Sequence, residues 1–264
     1  MIGAIIGDIA GSRFEFDNTF DYQFDLFSPK CDYTDDTICT VAIADALLQG
    51  KSFSSSLVKW CQQYPRPLGG YGSLYRQWVF SDQHTSYGSW GNGAAMRVSP
   101  VAWYYSSLQQ VLTAARETAL PTHDHPEGIK GAQAVAHVIY ALHTRDKSSE
   151  DWAPLLTKIA THYYPDFKSR IFTRDYFDGS CMGDVPLAFR LVLTSSDFED
   201  AIRRAISWGG DSDTIGAIVG SVAEAIWQIS AEMEQKALTY LPTPIKQVIK
   251  DFDKRLQALQ VQRG

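Results

Sequence analysis

The stretch GGDSDTIGAIVGSVAEAIWQI, residues 209–229, decides the fold class. Ile215, Ile218, Val219, Val222, Ala223, Ile226 and Trp227 recur at helical spacing over more than three turns, which predicts a helix buried on much of its surface. Working outward, the same periodicity appears at Ile2, Ile5, Ile6 and Ile9, at Ile38 to Leu48, at Ala132 to Leu142, at Leu155 to Ile159 and at Ala201 to Ile206. A last amphipathic run, Ile245 to Leu259, follows a break marked by Pro242 and Pro244. Alternating strand patterns are scarce. The expected class is therefore all-α.

The 264 residues, 45% hydrophobic and 20% charged, suffice for one sizeable core. Gly- and Pro-rich interruptions at 65–72, 87–93 and 121–128 are too short and too varied to be linkers, and no fixed-period repeat is present. One domain spanning residues 1–264 is expected. The net charge of −6 and pI near 5.5 argue against a broad nucleic-acid surface or an anionic membrane partner. No apolar run approaches the ~20 residues of a membrane span, and Met1 to Asp8 lacks the basic region of a signal peptide. Cys31, Cys39, Cys61 and Cys181 form no CxxC pair. Reduced thiols and a cytoplasmic location are the corresponding expectations.

Residues 209–214 also open the chemistry. Asp211, Ser212, Asp213 and Thr214 stand just before the helical run, and Thr34, Asp35, Asp36 and Thr37 stand just before another. Each motif taken alone reads as a helix N-cap, since short oxygen-bearing side chains accept from the first free amides. A cap needs one acceptor, however, and Asp35 beside Asp36 places like charges together. A cation relieves that cost. Four carboxylates with flanking hydroxyls make an oxygen-only ligand set suited to magnesium or manganese. A haloacid-type phosphatase is a poor match, because Thr214 follows Asp213 directly and opens a helix.

Ser89-Trp90-Gly91-Asn92-Gly93-Ala94-Ala95-Met96-Arg97 is a Gly-rich turn running into small residues. A helix starting near Ala94 would let backbone amides approach a phosphate or diphosphate. A tight turn with close helix packing explains the glycines equally, and the pattern matches neither the P-loop nor the dinucleotide fingerprint. His123 and His125 are two residues apart, on opposite sides of an extended segment, so one faces a ligand while the other is solvated or caps a helix. Gly7 and Gly11 allow close helix approach, and Glu15 falls just past the first helix, where it can turn into a cleft.

Taken together, Gly7-Asp8 to Glu15, Thr34 to Thr37, Gly91 to Arg97, Thr122-His123 and Gly209 to Thr214 resemble, in order, the motifs of the ADP-ribosylglycohydrolases. That group includes the dinitrogenase reductase-activating glycohydrolase. The resemblance implies a compact orthogonal helical bundle with a dinuclear cleft and hydrolytic removal of ADP-ribose from a modified arginine-type or serine-type side chain or another acceptor. It further implies that Thr34, Asp35, Asp36, Asp211, Asp213 and Thr214 hold two Mg2+ or Mn2+ ions. By the same resemblance Gly91, Asn92, Gly93, Ala94, Ala95 and Met96 hold a diphosphate, Ser89 and Trp90 line the nucleotide side, and His123 faces the ligand. Glu15 matches a mobile Glu that gates the cleft and reaches the metals, Glu15 or Asp36 is the candidate catalytic carboxylate that moves the proton, and Ser180 and Cys181 fall near the adenosine. A monomer acting on an ADP-ribosylated protein or a small ADP-ribosyl substrate is expected. The alternatives are a metal-dependent nucleotide or phosphoester hydrolase and a non-catalytic ADP-ribose-binding protein.

Overall fold

A computed structural model describes residues 1–146, 148 and 151–263. The chain is all-helical: α1 (Ile2–Gly11), a 3-10 turn (Ser12–Phe14), α2 (Asp35–Gln49), α3 (Phe53–Gln63), α4 (Ser73–Phe80), α5 (Gly93–Met96), α6 (Ser99–Tyr104) and α7 (Leu108–Ala119). There follow α8 (Pro126–Thr144), α9 (Trp152–Tyr163), α10 (Cys181–Leu193), α11 (Phe198–Trp208), α12 (Ser212–Ala223), α13 (Ala231–Leu238) and α14 (Thr243–Arg263). Among the described residues no strand forms, and Gly91 and Ser180 make an isolated antiparallel bridge. No helix among them is long and apolar enough to cross a membrane.

Helix α12 is the axis of the core. Every one of its residues is buried, and it packs against α1, α2, α5, α8, α10 and α11. Beyond its polar first turn the helix is almost wholly apolar and has no solvent face, so neighbours enclose it on every side. Its antiparallel crossing with α1 is unusually tight. A Cβ on Gly7 would lie 1.9 Å from the Gly216 carbonyl oxygen, and one on Gly3 would lie 2.3 Å from that of Gly220. Backbone thus meets backbone, which fixes the start of α12 relative to the end of α1 and so positions Asp211, Asp213 and Glu15.

The predicted continuation of α12 to Trp227 is corrected: the helix ends at Ala223. The amides of Ile226 and Trp227 turn back to the Ala223 carbonyl, and Glu224 Oε2 instead accepts from the Met1 ammonium at 2.6 Å and the Gly3 amide at 2.9 Å. Ile226 and Trp227 still pack on the core, which is why the apolar period persists beyond the helix. Residues 15–34 are irregular, with Phe24 and Leu26 anchored in the core.

Candidate functional site

The first acidic motif is held from behind by a carboxylate. Asp8, wholly buried in the otherwise apolar α1, accepts on Oδ2 from the amides of Thr34 at 3.0 Å and Thr37 at 3.1 Å. Its Oδ1 accepts from Thr34 Oγ1 at 2.7 Å, while Thr34 Oγ1 in turn accepts from the Asp36 amide at 3.2 Å. Thr34 is therefore the N-cap of α2, and Asp35 and Asp36 are released from that duty. Burial pushes the Asp8 carboxyl up to about 6, against the opposing pull of its threonine hydrogen bonds.

The second motif has no side-chain cap. Asp211 occupies the N-cap position of α12 without bonding a first-turn amide, and its Oδ2 accepts from Asn92 Nδ2 at 2.6 Å. The same Asn92 nitrogen donates to Asp184 Oδ2 at 2.8 Å, tying the Gly91–Met96 segment to both acids. The bend ahead of α12 requires Gly209 and Gly210 at φ of 85° and 81°. Asn18 pins it, donating to the Gly210 carbonyl at 2.9 Å and accepting from the Gly210 amide at 2.8 Å.

These elements bring the two acidic motifs together. Thr214 Oγ1 donates to Asp36 Oδ2 at 3.2 Å. Glu15, Asp211 and Asp213 each place a carboxylate oxygen within 4.8 Å of the others. Glu15, Asp35, Asp36, Asp211, Asp213 and Thr214 line one cleft of about 360 Å3, together with Ser89, Gly91, Asn92, Gly93, Met96 and His123. Ala94 and Ala95 are buried behind that wall and Thr34 is turned to Asp8. Trp90 is not brought to this cleft: it is half exposed and lines a neighbouring groove with Tyr176 and Met182. Ser180 caps α10 and lines that groove too, whereas the Cys181 thiol is buried behind the Gly-rich segment and donates to the Gly91 carbonyl at 3.1 Å.

The two histidines divide their roles. His123 is buried, faces the cleft and has its ring 6.3 Å from that of Tyr87. Burial, reinforced by the Arg97 charge, holds its pKa well below the ordinary 6.5, so it is neutral at pH 7. His125 instead caps α8, its Nδ1 accepting from the Glu127 amide at 3.1 Å.

The family model for ADP-ribosylglycohydrolase matches residues 1–263. The chain belongs to the ADP-ribosylglycohydrolase family. Within that family, ADP-ribosylhydrolase ARH3 of Homo sapiens is 25% identical, covering 93% of this chain and 90% of its own. ADP-ribosylarginine hydrolase Tri1 of Serratia proteamaculans is 24% identical, covering 87% of this chain and 71% of its own. A solved structure described as an ADP-ribosylglycohydrolase-related protein complex superposes with a TM-score of 0.68 at 21% identity, over 90% of this chain and 95% of that one, and shows the same fold.

The electrostatics of this ADP-ribosylglycohydrolase cleft fit a cation. Burial and then mutual repulsion raise Asp35, Asp36 and Asp213 well above the ordinary carboxylate range, and burial also raises Asp211. Glu15 reaches about 7, through burial first and then the charges of Asp211 and Asp8. Asp36 Oδ1 is buried with no hydrogen-bond partner. Crowded carboxylates, one with an orphaned oxygen, are the donor set a hard divalent ion neutralises.

Sequence reasoning assigned no role to Asp8, Tyr87, Arg97, Phe177 or Asp184. Tyr87 and Phe177 line the cleft, and Asp8, Arg97 and Asp184 support it from behind. For Asp8 the available signal was a lone carboxylate in the middle of an apolar helix, which needs several donors to be buried there.

Proposed function

We propose that the chain hydrolyses the N- or O-glycosidic bond joining ADP-ribose to a modified arginine-type or serine-type protein side chain, or to another acceptor. The observation that carries this reading is the union of Asp35 and Asp36 with Asp211, Asp213 and Thr214 in one cleft whose lining also includes Gly91, Asn92 and Gly93. The volume of about 360 Å3 lies within the range of small-molecule sites. The named activities of the ARH3 and Tri1 relatives support the same reaction class.

In this reading Asp35, Asp36, Asp211, Asp213 and Thr214 would hold two divalent cations, Mg2+ or Mn2+, while Thr34, whose hydroxyl donates to Asp8 and accepts from the Asp36 amide, caps α2 behind them. When bound, such ions supply charge neutralisation, substrate orientation and acidification of water. The rest falls to the chain. The Gly-rich turn admits the diphosphate where side chains would obstruct it, and Asn92, held by its two carboxylates, keeps that turn in place. Positive charge developing on the ribose in an oxocarbenium-like transition state is stabilised by the surrounding carboxylates.

One carboxylate moves the proton. Glu15 at the half-buried lip, or Asp36 with its unpartnered oxygen, takes it from the attacking water or delivers it to the leaving acceptor. Comparing pH–rate profiles of Glu15→Gln and Asp36→Asn decides between them: the limb belonging to the proton carrier disappears.

The test of the function is identification of products from an ADP-ribosylated acceptor. Free ADP-ribose and unmodified acceptor are expected. Release of AMP or inorganic phosphate would point instead to a phosphoester hydrolase, and unaltered substrate with bound ADP-ribose to a binding protein.

A further inference from the structure

Behind His123 runs a short polarised chain of hydrogen bonds. Arg97 is fully buried, and its Nη2 donates to the Thr118 carbonyl and to Thr122 Oγ1, both at 2.9 Å. Thr122 is also fully buried, and its Oγ1 lies 2.7 Å from His123 Nδ1. A guanidinium donates and never accepts, so the first link has one possible direction. Thr122 has one hydroxyl hydrogen, and His123 Nδ1 is the acceptor within reach. Were the proton on Nδ1 instead, the threonine hydrogen would be stranded without an acceptor, and an unmet buried donor costs more than a hydrogen bond contributes. The chain therefore runs Arg97 to Thr122 to Nδ1.

The consequence falls on the other ring nitrogen. Which nitrogen of a neutral histidine carries the proton is set by the bond the other one makes. Nε2 has no protein partner among the described residues and lies against the Gly-rich turn, 3.1 Å from where a Cβ on Gly93 would stand and 3.5 Å from one on Gly91. The absence of both side chains leaves open space in front of it.

We propose that Arg97 and Thr122 are positioning residues that lock His123 with its proton on Nε2, so that the ring donates a hydrogen bond to an anionic oxygen of a nucleoside diphosphate. The ligand half of this inference rests on the proposed function; the tautomer half does not. His123 is then an uncharged donor, and its contribution persists at pH values where an ordinary histidine loses a charge. Arg97 acts at one remove, as the fixed cation that orients the threonine hydroxyl.

Nitrogen-15 NMR of the His123 ring tests it, with resonances assigned by their loss in His123→Gln. The wild type is expected to show a protonated Nε2 and a bare Nδ1, and ADP-ribose is expected to shift the Nε2 resonance. Thr122→Val, close in shape, should mix the tautomers and weaken ADP-ribose binding about tenfold, with both properties restored in Thr122→Ser. A proton on Nδ1 in the wild type, or an unchanged tautomer and affinity in Thr122→Val, would overturn the proposal. If ADP-ribose fails to bind the wild type at all, the functional reading and the ligand half fall together, while the ring spectra still judge the positioning half.

Discussion

Thr214 Oγ1 donates to Asp36 Oδ2 across 3.2 Å, joining the first turns of α12 and α2 over a sequence separation of 178 residues. The bond exists only when both helix starts are docked on α1, so it couples packing to the site. Thr214→Val removes the shorter of the two hydroxyl contacts to Asp36 Oδ2, leaving it only Thr34 Oγ1 at 3.5 Å, while Oδ1 has no partner. Divalent-ion affinity is expected to fall by ~10–100-fold, the usual effect of removing a group that ligates or orients a ligand. Isothermal titration with Mn2+ measures it, with circular dichroism showing the helices retained.

Gly7→Ala tests the docking itself. The added methyl would sit 1.9 Å from the Gly216 carbonyl oxygen, backbone against which no rotamer can yield. Destabilisation of at least ~1–3 kcal/mol is expected from overpacking, together with weaker metal binding, because α1 carries Asp8 and leads to Glu15. Urea unfolding with and without Mn2+ reads both effects.

The acids make stability in chelator depend on pH in a definite direction. Burial raises Asp8 to about 6 and Glu15 to about 7, above their ordinary values of 3.8 and 4.5. The folded chain thus binds more protons than the unfolded one between those limits, and each group's contribution is fully present below the unfolded value. It is lost as pH rises through the folded value. Metal-free protein should therefore become progressively less stable from about pH 4 to about pH 7, and Mn2+ added at pH 7 should restore it. Melting temperatures across that range, with and without metal, check the sign.

His125→Ala and His123→Ala should separate. His125 caps α8 through the Glu127 amide, so its removal costs ~0.5–2 kcal/mol of stability and leaves ADP-ribose affinity unchanged. His123→Ala should weaken ADP-ribose binding. Chemical denaturation alongside a ligand titration distinguishes the two.

Much of this arrangement was legible in the sequence where a physical constraint repeats. The apolar period announced α8, α9, α11, α12 and α14, and glycines at Gly7 and Gly11 announced the close crossing. The less visible helices either bury a small face or carry a residue that interrupts the pattern. Helix α3 buries only Ser56, Leu57, Trp60 and Cys61, and α10 carries Pro186 in its interior. Within the site, the acidic motifs stood out because adjacent carboxylates are costly, and the structure brings them to one cleft. Asp8, although part of the first motif, and Asp184 carry no role legible in the sequence, because their partners come from distant segments. Trp90, which the resemblance puts on the nucleotide side, stands beside the Gly91–Ser180 bridge and lines the groove adjoining the cleft. The acids at the start of α12 were read as caps or ligands; Asp211 makes no cap bond, which leaves its oxygens to Asn92 and the cleft.

The most direct measurement is release of ADP-ribose from arginine-linked, serine-linked and polymeric substrates by the wild type and Asp213→Ala, each with Mg2+, Mn2+ or chelator. Release from at least one linkage by the wild type with metal is expected, abolished by chelator and by Asp213→Ala. Release that persists at full rate in chelator or in Asp213→Ala would contradict that expectation.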